Sequence, residues 1–207
     1  MEILGKLFGG QARIKVIRLF LFNPDQVFTV ELISEKAKVG SKEVKKELHL
    51  FETIGLVRVK TSSKKVEKEI KGKKTEVTKK EDGWILNGAF PYLLPLQGLL
   101  IRTALLHDEE IVKKLDKVGK LRLVVIAGVF IQNFESRVDL LVAGDGLKKG
   151  KVDKVVKEIE AEIGKELRYA VFETPDFKYR LGMCDKLIRD IFDFPHKKIL
   201  NKTGFLA

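Results

Sequence analysis

Residues 40–60 read GSKEVKKELHLFETIGLVRVK, a stretch that combines a turn, an amphipathic helix and a short strand. Gly40 marks a tight turn, and Ser41 is placed to cap the helix that follows. The apolar residues of this helix recur at helical spacing and predict one buried stripe, formed by Val44, Leu48 and Phe51. Gly55 ends the helix, because glycine adopts the left-handed conformation at a C-terminus without strain. The apolar residues that follow predict a strand over residues 56–60.

Two shorter helices are predicted before this stretch. Apolar residues recur at helical spacing from Gln11 to Phe22, and Pro24 ends the periodic run. Thr29 is placed to cap a second helix that continues to about Ala37. Three short helices with a tight turn before the third are the layout of a helix-turn-helix.

A lysine-rich segment follows the third helix. The strand over residues 56–60 is joined to a second predicted strand, Trp84–Leu86, by a basic hairpin over residues 61–83. Residues 60–80 contain nine lysines against three glutamates. Two strands joined by a basic hairpin after three helices are the layout of a winged helix. We therefore assign residues 1–90 to a winged helix-turn-helix domain.

Positive charge is the main compositional feature of the 207-residue chain, whose formal net charge is +11. The excess is denser over residues 1–90, with +7, than over residues 91–207, with +4. Such a balance favours polyanionic partners, nucleic acid first and an anionic membrane second. The hairpin has no aromatic residue on which bases could stack, so double-stranded DNA is favoured over single strands or RNA.

Eleven residues are candidate DNA contacts on the solvent face of the third helix and on the hairpin. They are Ser41, Lys42, Lys45, Lys46, His49, Lys64, Lys65, Lys68, Lys71, Lys73 and Lys74. Lysine reads bases less well than arginine or asparagine, so most of these residues are expected to contact phosphates. A homodimer is expected, because paired half-sites raise affinity and specificity. The apolar segment Tyr92–Leu106 is expected to pack between the domains or across the two-fold axis.

Membrane insertion and secretion are not supported. The segment Tyr92–Leu106 is interrupted by Pro95 and Arg102 and is shorter than the roughly 20 apolar residues that a bilayer requires. The start, MEILGKLFGG, lacks the basic region and the long apolar run of a secretory signal. We expect a soluble, cytoplasmic protein without a membrane partner. Cys184, the single cysteine, lies in an apolar stretch and is expected to be buried or half-buried.

The pattern changes to alternating helices and strands after Phe90-Pro91. Strands are predicted over residues 121–127, 138–143 and 167–172, and helices over residues 92–107, 108–118 and 151–163. Residues 177–192 are predicted to be mostly helical. We therefore assign residues 91–207 to a second, α/β domain with a small mixed sheet. The whole chain is predicted to be a two-domain α+β protein.

Four segments of the second half carry a family resemblance: AGVF at 127–130, SRVDLLV at 136–142, KELRYAVF at 165–172 and TPDF at 174–177. They resemble the small nucleotidyltransferase domain that is fused to arsenic-repressor-type winged helices in many bacterial and archaeal regulators. In that family a strand leads to G-S-x-x-R-G and then to S-D-x-D-L-L-V. The resemblance covers all 207 residues in order, with the winged helix first.

The resemblance implies a site in which about three acids hold two metal ions around a triphosphate, beside a glycine-serine turn that cradles phosphate. Here Val129 stands at the serine, Arg137 at the first acid and Arg168 near the third. Only Asp139 remains of the acids, and guanidinium groups do not gather Mg²⁺. We therefore expect no catalytic residues, no metal and no cofactor, and a domain that is not an enzyme.

The four matching positions, Gly128, Arg137, Asp139 and Arg168, form a candidate remnant or anion-binding site. Asp139 is expected to form an ion pair with Arg137 or Arg168, and a cationic pocket there would suit a nucleotide phosphate or another anion. The leading hypothesis is a homodimeric regulator of transcription. One alternative is an active nucleotidyltransferase that uses Asp139, with Asp145 or Asp153. The other is a basic nucleoid or RNA-binding protein.

Overall fold

The structure is a computed structural model and describes residues 2–70, 73–101 and 106–202; the side chains of residues 2 and 62–81 also lie outside the description. The chain divides into two compact units, Met1–Ile101 and Arg102–Ala207. Helices and two small sheets make up the described residues, which is compatible with the predicted α+β class. In these same ranges no helix combines the length and the apolar character needed to cross a bilayer.

The first unit contains helices and one antiparallel pair of strands. The helices are α1 (Glu2–Phe8), α2 (Gln11–Phe22), α3 (Val30–Ala37), α4 (Ser41–Thr53) and α5 (Leu93–Leu100), and the strands are β1 (Val57–Ile70) and β2 (Lys73–Leu86). The bounds of α2 are those that the sequence predicts. Thr29 caps α3 as predicted, because its hydroxyl oxygen accepts a hydrogen bond from the amide of Leu32 at 3.3 Å.

The core of the first unit extends past the predicted domain boundary. Leu100 is fully buried in this core, and Leu93 and Leu96 pack against it. The contacts of the chain therefore divide after Ile101, whereas the boundary after residue 90 stays a prediction. The helix predicted over residues 92–107 is shorter in the structure, because α5 ends at Leu100; residues 102–105 lie outside the described residues.

A β-bridge ties the connection between α2 and α3 to the base of β2. Phe28 and Trp84 exchange two backbone hydrogen bonds, of 2.9 and 2.8 Å. Gly83 allows this close approach, because a Cβ atom there would lie 2.5 Å from Cγ1 of Val27. The bridge fixes the base of the strand pair beside the helices.

The basic hairpin is a longer strand pair than the sequence predicts. Residues 61–83 are interpreted from the sequence as a connection between two short strands. In the structure β1 continues to Ile70 and β2 begins at Lys73, with uninterrupted pairing between them. We call this strand pair the ribbon. Sequence periodicity misses it because residues 61–83 contain three apolar side chains, Val66, Ile70 and Val77, which are too few to give an apolar alternation.

The second unit contains a four-stranded mixed sheet and flanking helices. Its elements are α6 (Asp108–Leu115), β3 (Lys120–Ile126), a 3₁₀ turn (Gly128–Ile131), β4 (Leu140–Asp145), α7 (Lys149–Ile163), β5 (Tyr169–Glu173), α8 (Thr174–Gly182), α9 (Lys186–Asp193) and β6 (Lys197–Asn201). The strand order is β5-β4-β3-β6, and only β4 and β5 run parallel. The central strands β3 and β4 are almost entirely buried, as their apolar runs predict.

One prediction on the C-terminal segment is confirmed and one is wrong. Residues 177–192 are mostly helical, as predicted, and they form two helices because the chain turns at Cys184, whose φ is 51°. Asp185 then caps α9 by accepting hydrogen bonds from the amides of Leu187 and Ile188. Cys184 is exposed instead of buried, because it lies in this turn and not on the inner face of a helix.

Candidate functional sites

The solvent face of α4 carries the predicted helix contacts. Lys42, Lys45, Lys46 and His49 are all exposed. The opposite side of α4 is anchored, since the predicted stripe of Val44, Leu48 and Phe51 is buried in the core. Ser41 is exposed but does not cap the helix: Gly40 is the N-cap residue, and Ser41 is the first helical residue. The Ser41 hydroxyl lies within hydrogen-bond distance of the Ser34 hydroxyl, at 3.4 Å.

An ion pair fixes the rotation of α4 against α2. Arg13 donates to both carboxylate oxygens of Glu47, at 2.6 and 3.3 Å, and Glu47 is only 6% exposed. The hydrogen bond to Glu47 raises the pKa of Arg13 above its ordinary value. Because Glu47 is paired inside the fold, its charge is compensated there and not by the lysines on the outer face. The sequence interpretation overlooked this pair, although an acid on an apolar stripe indicates a buried partner.

The base of the ribbon adds two cations that the sequence interpretation did not select. Arg58 and Lys60 are exposed, and the Thr61 hydroxyl donates to Asp82 at 2.7 Å across the strands. Of the predicted ribbon contacts, Lys71 lies outside the described residues. The strand pairing gives the backbone positions of Lys64, Lys65, Lys68, Lys73 and Lys74, and their side chains lie outside the description.

Asp139 in the second unit is a buried anchor between two turns. It is 1% exposed and precedes β4. One carboxylate oxygen accepts from the amide of Val129 at 2.9 Å, and the other accepts from the amide of Arg168 at 2.9 Å. The Arg168 guanidinium adds a contact at 3.2 Å, so Arg168 is the ion-pair partner of Asp139. The carboxylate of Asp139 therefore joins the turn after β3 to Arg168, the residue before β5.

Gly128 makes this close packing possible. Its φ is 54°, and a Cβ atom on it would lie 1.9 Å from Oδ1 of Asp139. The amide of Val129, which stands where the resemblance implies a phosphate-binding turn, donates to Asp139 instead. The protein's own carboxylate thus occupies the hydrogen-bonding position that an anion would need.

Arg137 does not join this cluster. Its side chain is 65% exposed, and its guanidinium lies 3.1 Å from a carboxylate oxygen of Asp190 in α9. The structure therefore brings together Gly128, Asp139 and Arg168, and places Arg137 in a separate ion pair. Each of the two arginines of the candidate anion site already has a carboxylate partner within the chain.

The other two acids considered for catalysis do not converge on Asp139. Asp145 ends β4, whereas Asp139 precedes it, so the two lie about 20 Å apart along an extended strand. Asp145 pairs with Arg122 at 2.8 Å. Asp153 accepts a hydrogen bond from the Tyr169 hydroxyl at 2.7 Å, which raises the pKa of Tyr169 to about 12. Among the residues with a described position, no group of three or more metal-ligating side chains occurs.

An apolar groove of about 400 Å³ opens on the first unit. Its lining is Leu7, Phe8, Arg13, Ile17, Leu50, Phe51, Ile54, Leu56, Phe90, Tyr92 and Leu96. Leu7, Ile54 and Tyr92 are largely exposed there, and Leu94 on α5 is 76% exposed. Within the segment that starts at Tyr92, Leu100 is buried in the core, whereas Tyr92 and Leu94 are exposed.

Comparison with protein-family models, with curated proteins and with solved structures finds no match to this chain.

Proposed function

We propose that the chain is a regulator of transcription that binds double-stranded DNA, as a homodimer, through α4 and the ribbon. The observation that carries the proposal is the exposed basic face of α4, whose orientation is fixed by its buried stripe and by the Arg13–Glu47 ion pair. A rigid helix with cations on its free side suits the major groove, which is wide enough to admit an α-helix.

The order of elements in the first unit supports a winged helix-turn-helix. The elements follow in the order α2, the bridging residue Phe28, α3, α4 and the two strands of the ribbon. Phe28 pairs with Trp84 at the base of the ribbon through an isolated β-bridge. In such a domain the helix after the turn enters the groove and the strand pair lies beside it. The exposed lysines of α4 and the cations of the ribbon would then face one polyanion.

The contacts of Asp139 support a second domain that is nucleotidyltransferase-like and without catalysis. Two backbone amides and a guanidinium surround the carboxylate that a transferase would offer to a metal ion. Asp145, about 20 Å away along β4, is too far to share an ion with it, since metal–oxygen bonds are about 2.0–2.6 Å long. The second unit has a small mixed sheet, as predicted for the second domain.

Replacing Lys42, Lys45 and Lys46 together by glutamine is expected to lower the affinity for duplex DNA on the order of 100-fold at about 0.1 M salt. The reason is that each lysine–phosphate contact releases counterions. The slope of log affinity against log salt should become shallower by about 2–3. Fluorescence anisotropy of a labelled duplex across a salt series measures both quantities.

The matched control replaces Lys151, Lys154 and Lys157 on α7, which are exposed lysines of the second unit, by glutamine. The change in net charge is identical, and the affinity should stay within about threefold of the unmodified chain. Equal losses in both variants would mean that overall charge, and not α4, drives binding.

A competition binding experiment with different nucleic acids distinguishes a regulator from a general nucleic-acid binder. The lysines of α4 favour phosphate over base contacts, which is the observation that keeps a nucleoid or RNA-binding protein as the second candidate. A regulator should prefer particular promoter fragments over random duplex, single strands and structured RNA. If no duplex sequence is preferred, the regulator proposal fails and the second candidate replaces it.

No nucleotidyl transfer is expected when the chain is incubated with labelled nucleotides and Mg²⁺ or Mn²⁺, because its acids do not converge on one metal position. Label that appears on an acceptor and disappears in Asp139→Ala would contradict this prediction. Asp139 also stabilises the fold through its two amide hydrogen bonds. The label transfer of Asp139→Ala is therefore compared with that of Arg168→Gln, a variant that keeps the carboxylate.

A further inference from the structure

The pairing register of the ribbon sorts its residues into two faces. Opposed residues of an antiparallel pair lie on the same face, and successive residues alternate between faces. Pairing runs without a register shift from Val57↔Leu86 to Ile70↔Lys73. The even-numbered residues of β1 and the odd-numbered residues of β2 therefore share one face, which we call the Arg58 face. The remaining residues share the other, which we call the Trp84 face.

The two faces differ in charge. The Arg58 face carries six basic residues and one acid: Arg58, Lys60, Lys64, Lys68, Lys73, Lys79 and Glu81. The Trp84 face carries three basic residues and four acids: Lys65, Lys74, Lys80, Glu67, Glu69, Glu76 and Asp82. The lysines are thus not spread evenly around the ribbon, although the sequence alone shows one basic segment.

Directly opposed pairs reinforce this difference. Lys64 is opposed by Lys79 on the Arg58 face, and Glu67 is opposed by Glu76 on the Trp84 face. Like charges in directly opposed positions destabilise an isolated strand pair. A face with lysines at opposed register positions suits a polyanion, whereas a face with glutamates at opposed positions does not.

The ribbon is long enough to follow a duplex beyond α4. The ten pairs from Thr61↔Asp82 to Ile70↔Lys73 extend it by about 30 Å at the usual rise of a strand. One turn of double-stranded DNA measures about 34 Å. Arg58 and Lys60, which begin the Arg58 face, are exposed at the ribbon's base.

We propose that the Arg58 face is a phosphate-binding surface, which extends the contact with double-stranded DNA by about one helical turn beyond the site of α4. The Trp84 face does not contact the DNA, so this proposal removes Lys65 and Lys74 from the DNA contacts that the sequence predicts. This inference rests on the proposed function and adds to it the face of the ribbon and the chemical group that it binds. Phosphate contacts do not depend on the base sequence of the DNA. The ribbon therefore raises the affinity and lengthens the bound stretch of duplex, while α4 sets the position on the DNA.

The test compares two triple variants of equal charge within the same ribbon. One is Lys64→Gln with Lys68→Gln and Lys79→Gln on the Arg58 face; the other is Lys65→Gln with Lys74→Gln and Lys80→Gln on the Trp84 face. The first is expected to lose affinity on the order of 100-fold at about 0.1 M salt, with a salt slope shallower by about 2–3. The second should stay within about threefold.

Duplex length provides an independent measurement. The unmodified chain should bind a duplex of about two helical turns more tightly than one of about a single turn, which is roughly 10 base pairs. The Arg58-face variant should lose this preference, and the Trp84-face variant should keep it. Thermal unfolding followed by Trp84 fluorescence serves as the folding control, and Lys60→Gln at the described base gives a milder second variant, with a slope change of about 1.

Each outcome bears on one proposal. Equal losses in the two ribbon variants, or a larger loss in the Trp84-face variant, overturn the assignment of the face. No loss in either ribbon variant, together with a loss in the Lys42, Lys45 and Lys46 variant, shows that the ribbon does not contact DNA and leaves the proposed function intact. Salt-independent or absent binding of the unmodified chain overturns the proposed function itself.

Discussion

Replacing Asp139 by alanine is expected to lower the free energy of unfolding of the second unit by about 3–4 kcal/mol. The change removes the acceptor of two backbone amides, those of Val129 and Arg168. Each buried donor left without an acceptor costs about 1–3 kcal/mol. The turn after β3 and the start of β5 would lose the group that joins them.

Two companion variants separate the amide bonds from the ion pair. Asp139→Asn keeps one acceptor oxygen but turns an amino group toward the other amide, so about half the loss is expected. Arg168→Gln should cost less than about 1 kcal/mol, because the side chain of Arg168 is 49% exposed and its ion pair is therefore screened by solvent. If Arg168→Gln is as damaging as Asp139→Ala, the ion pair and not the backbone bonds holds this region together.

The measurement is urea unfolding followed by two signals. Trp84 is the single tryptophan and lies in the first unit, so its fluorescence reports on that unit, while circular dichroism reports on the whole chain. Asp139→Ala should shift the circular-dichroism transition to lower urea. An unchanged circular-dichroism curve would contradict the prediction.

Replacing Gly128 by alanine is expected to destabilise the second unit by about 3 kcal/mol or more. The left-handed φ of 54° costs an L-residue about 1–2 kcal/mol, and the new Cβ atom would lie 1.9 Å from Oδ1 of Asp139. Because the carboxylate is held by two amides, the clash must break at least one of those bonds, at a further cost of about 1–3 kcal/mol.

Gly146 provides the matched control in the same unit. Its φ is 64°, and a Cβ atom there would meet nothing within 4 Å. Gly146→Ala therefore includes the backbone strain without the clash and should cost about 1–2 kcal/mol. Urea unfolding of the two variants, and of Gly128→Ala combined with Asp139→Ala, measures the difference. The combined variant should lose less than the sum, because both changes remove the same interaction; full additivity would contradict the account.

The Asp139→Ala and Gly128→Ala variants both test whether Asp139 has a structural role. A catalytic carboxylate must be open to a metal ion or a substrate, and such sites are often less stable than the protein could be. Asp139 has the opposite environment, since its oxygens are already used by the chain. Destabilisation by Asp139→Ala is therefore what a structural role requires.

Three local features of the first unit could be predicted from the sequence, whereas α1 was not predicted. The bounds of α2, the cap of α3 and the buried stripe of α4 depend on spacing and on neighbouring residues, which the sequence displays directly. The length of the ribbon could not be predicted, because its pairing joins residues that lie 3 to 29 positions apart in the chain and its outer part has too few apolar residues to show an alternation.

In the second unit, the sequence indicated which residues matter near Asp139 but not their partners. It left the ion pair open between Arg137 and Arg168, and the fold decided for Arg168 by placing the start of β5 beside the start of β4. Arg137, two residues before Asp139, instead meets Asp190 of α9. Such choices depend on residues that are distant in the chain, and no local pattern records them.

The sequence by itself determined the charge of this protein, the positions of most helices and buried strands, and the arginines at positions 137 and 168. The tertiary structure decided which lysines share a face of the ribbon, which arginine pairs with Asp139 and at which residue the core of the first unit ends. The physical reason is that charge and helical periodicity are properties of neighbouring residues, whereas strand register and ion-pair partners are set when distant segments pack together.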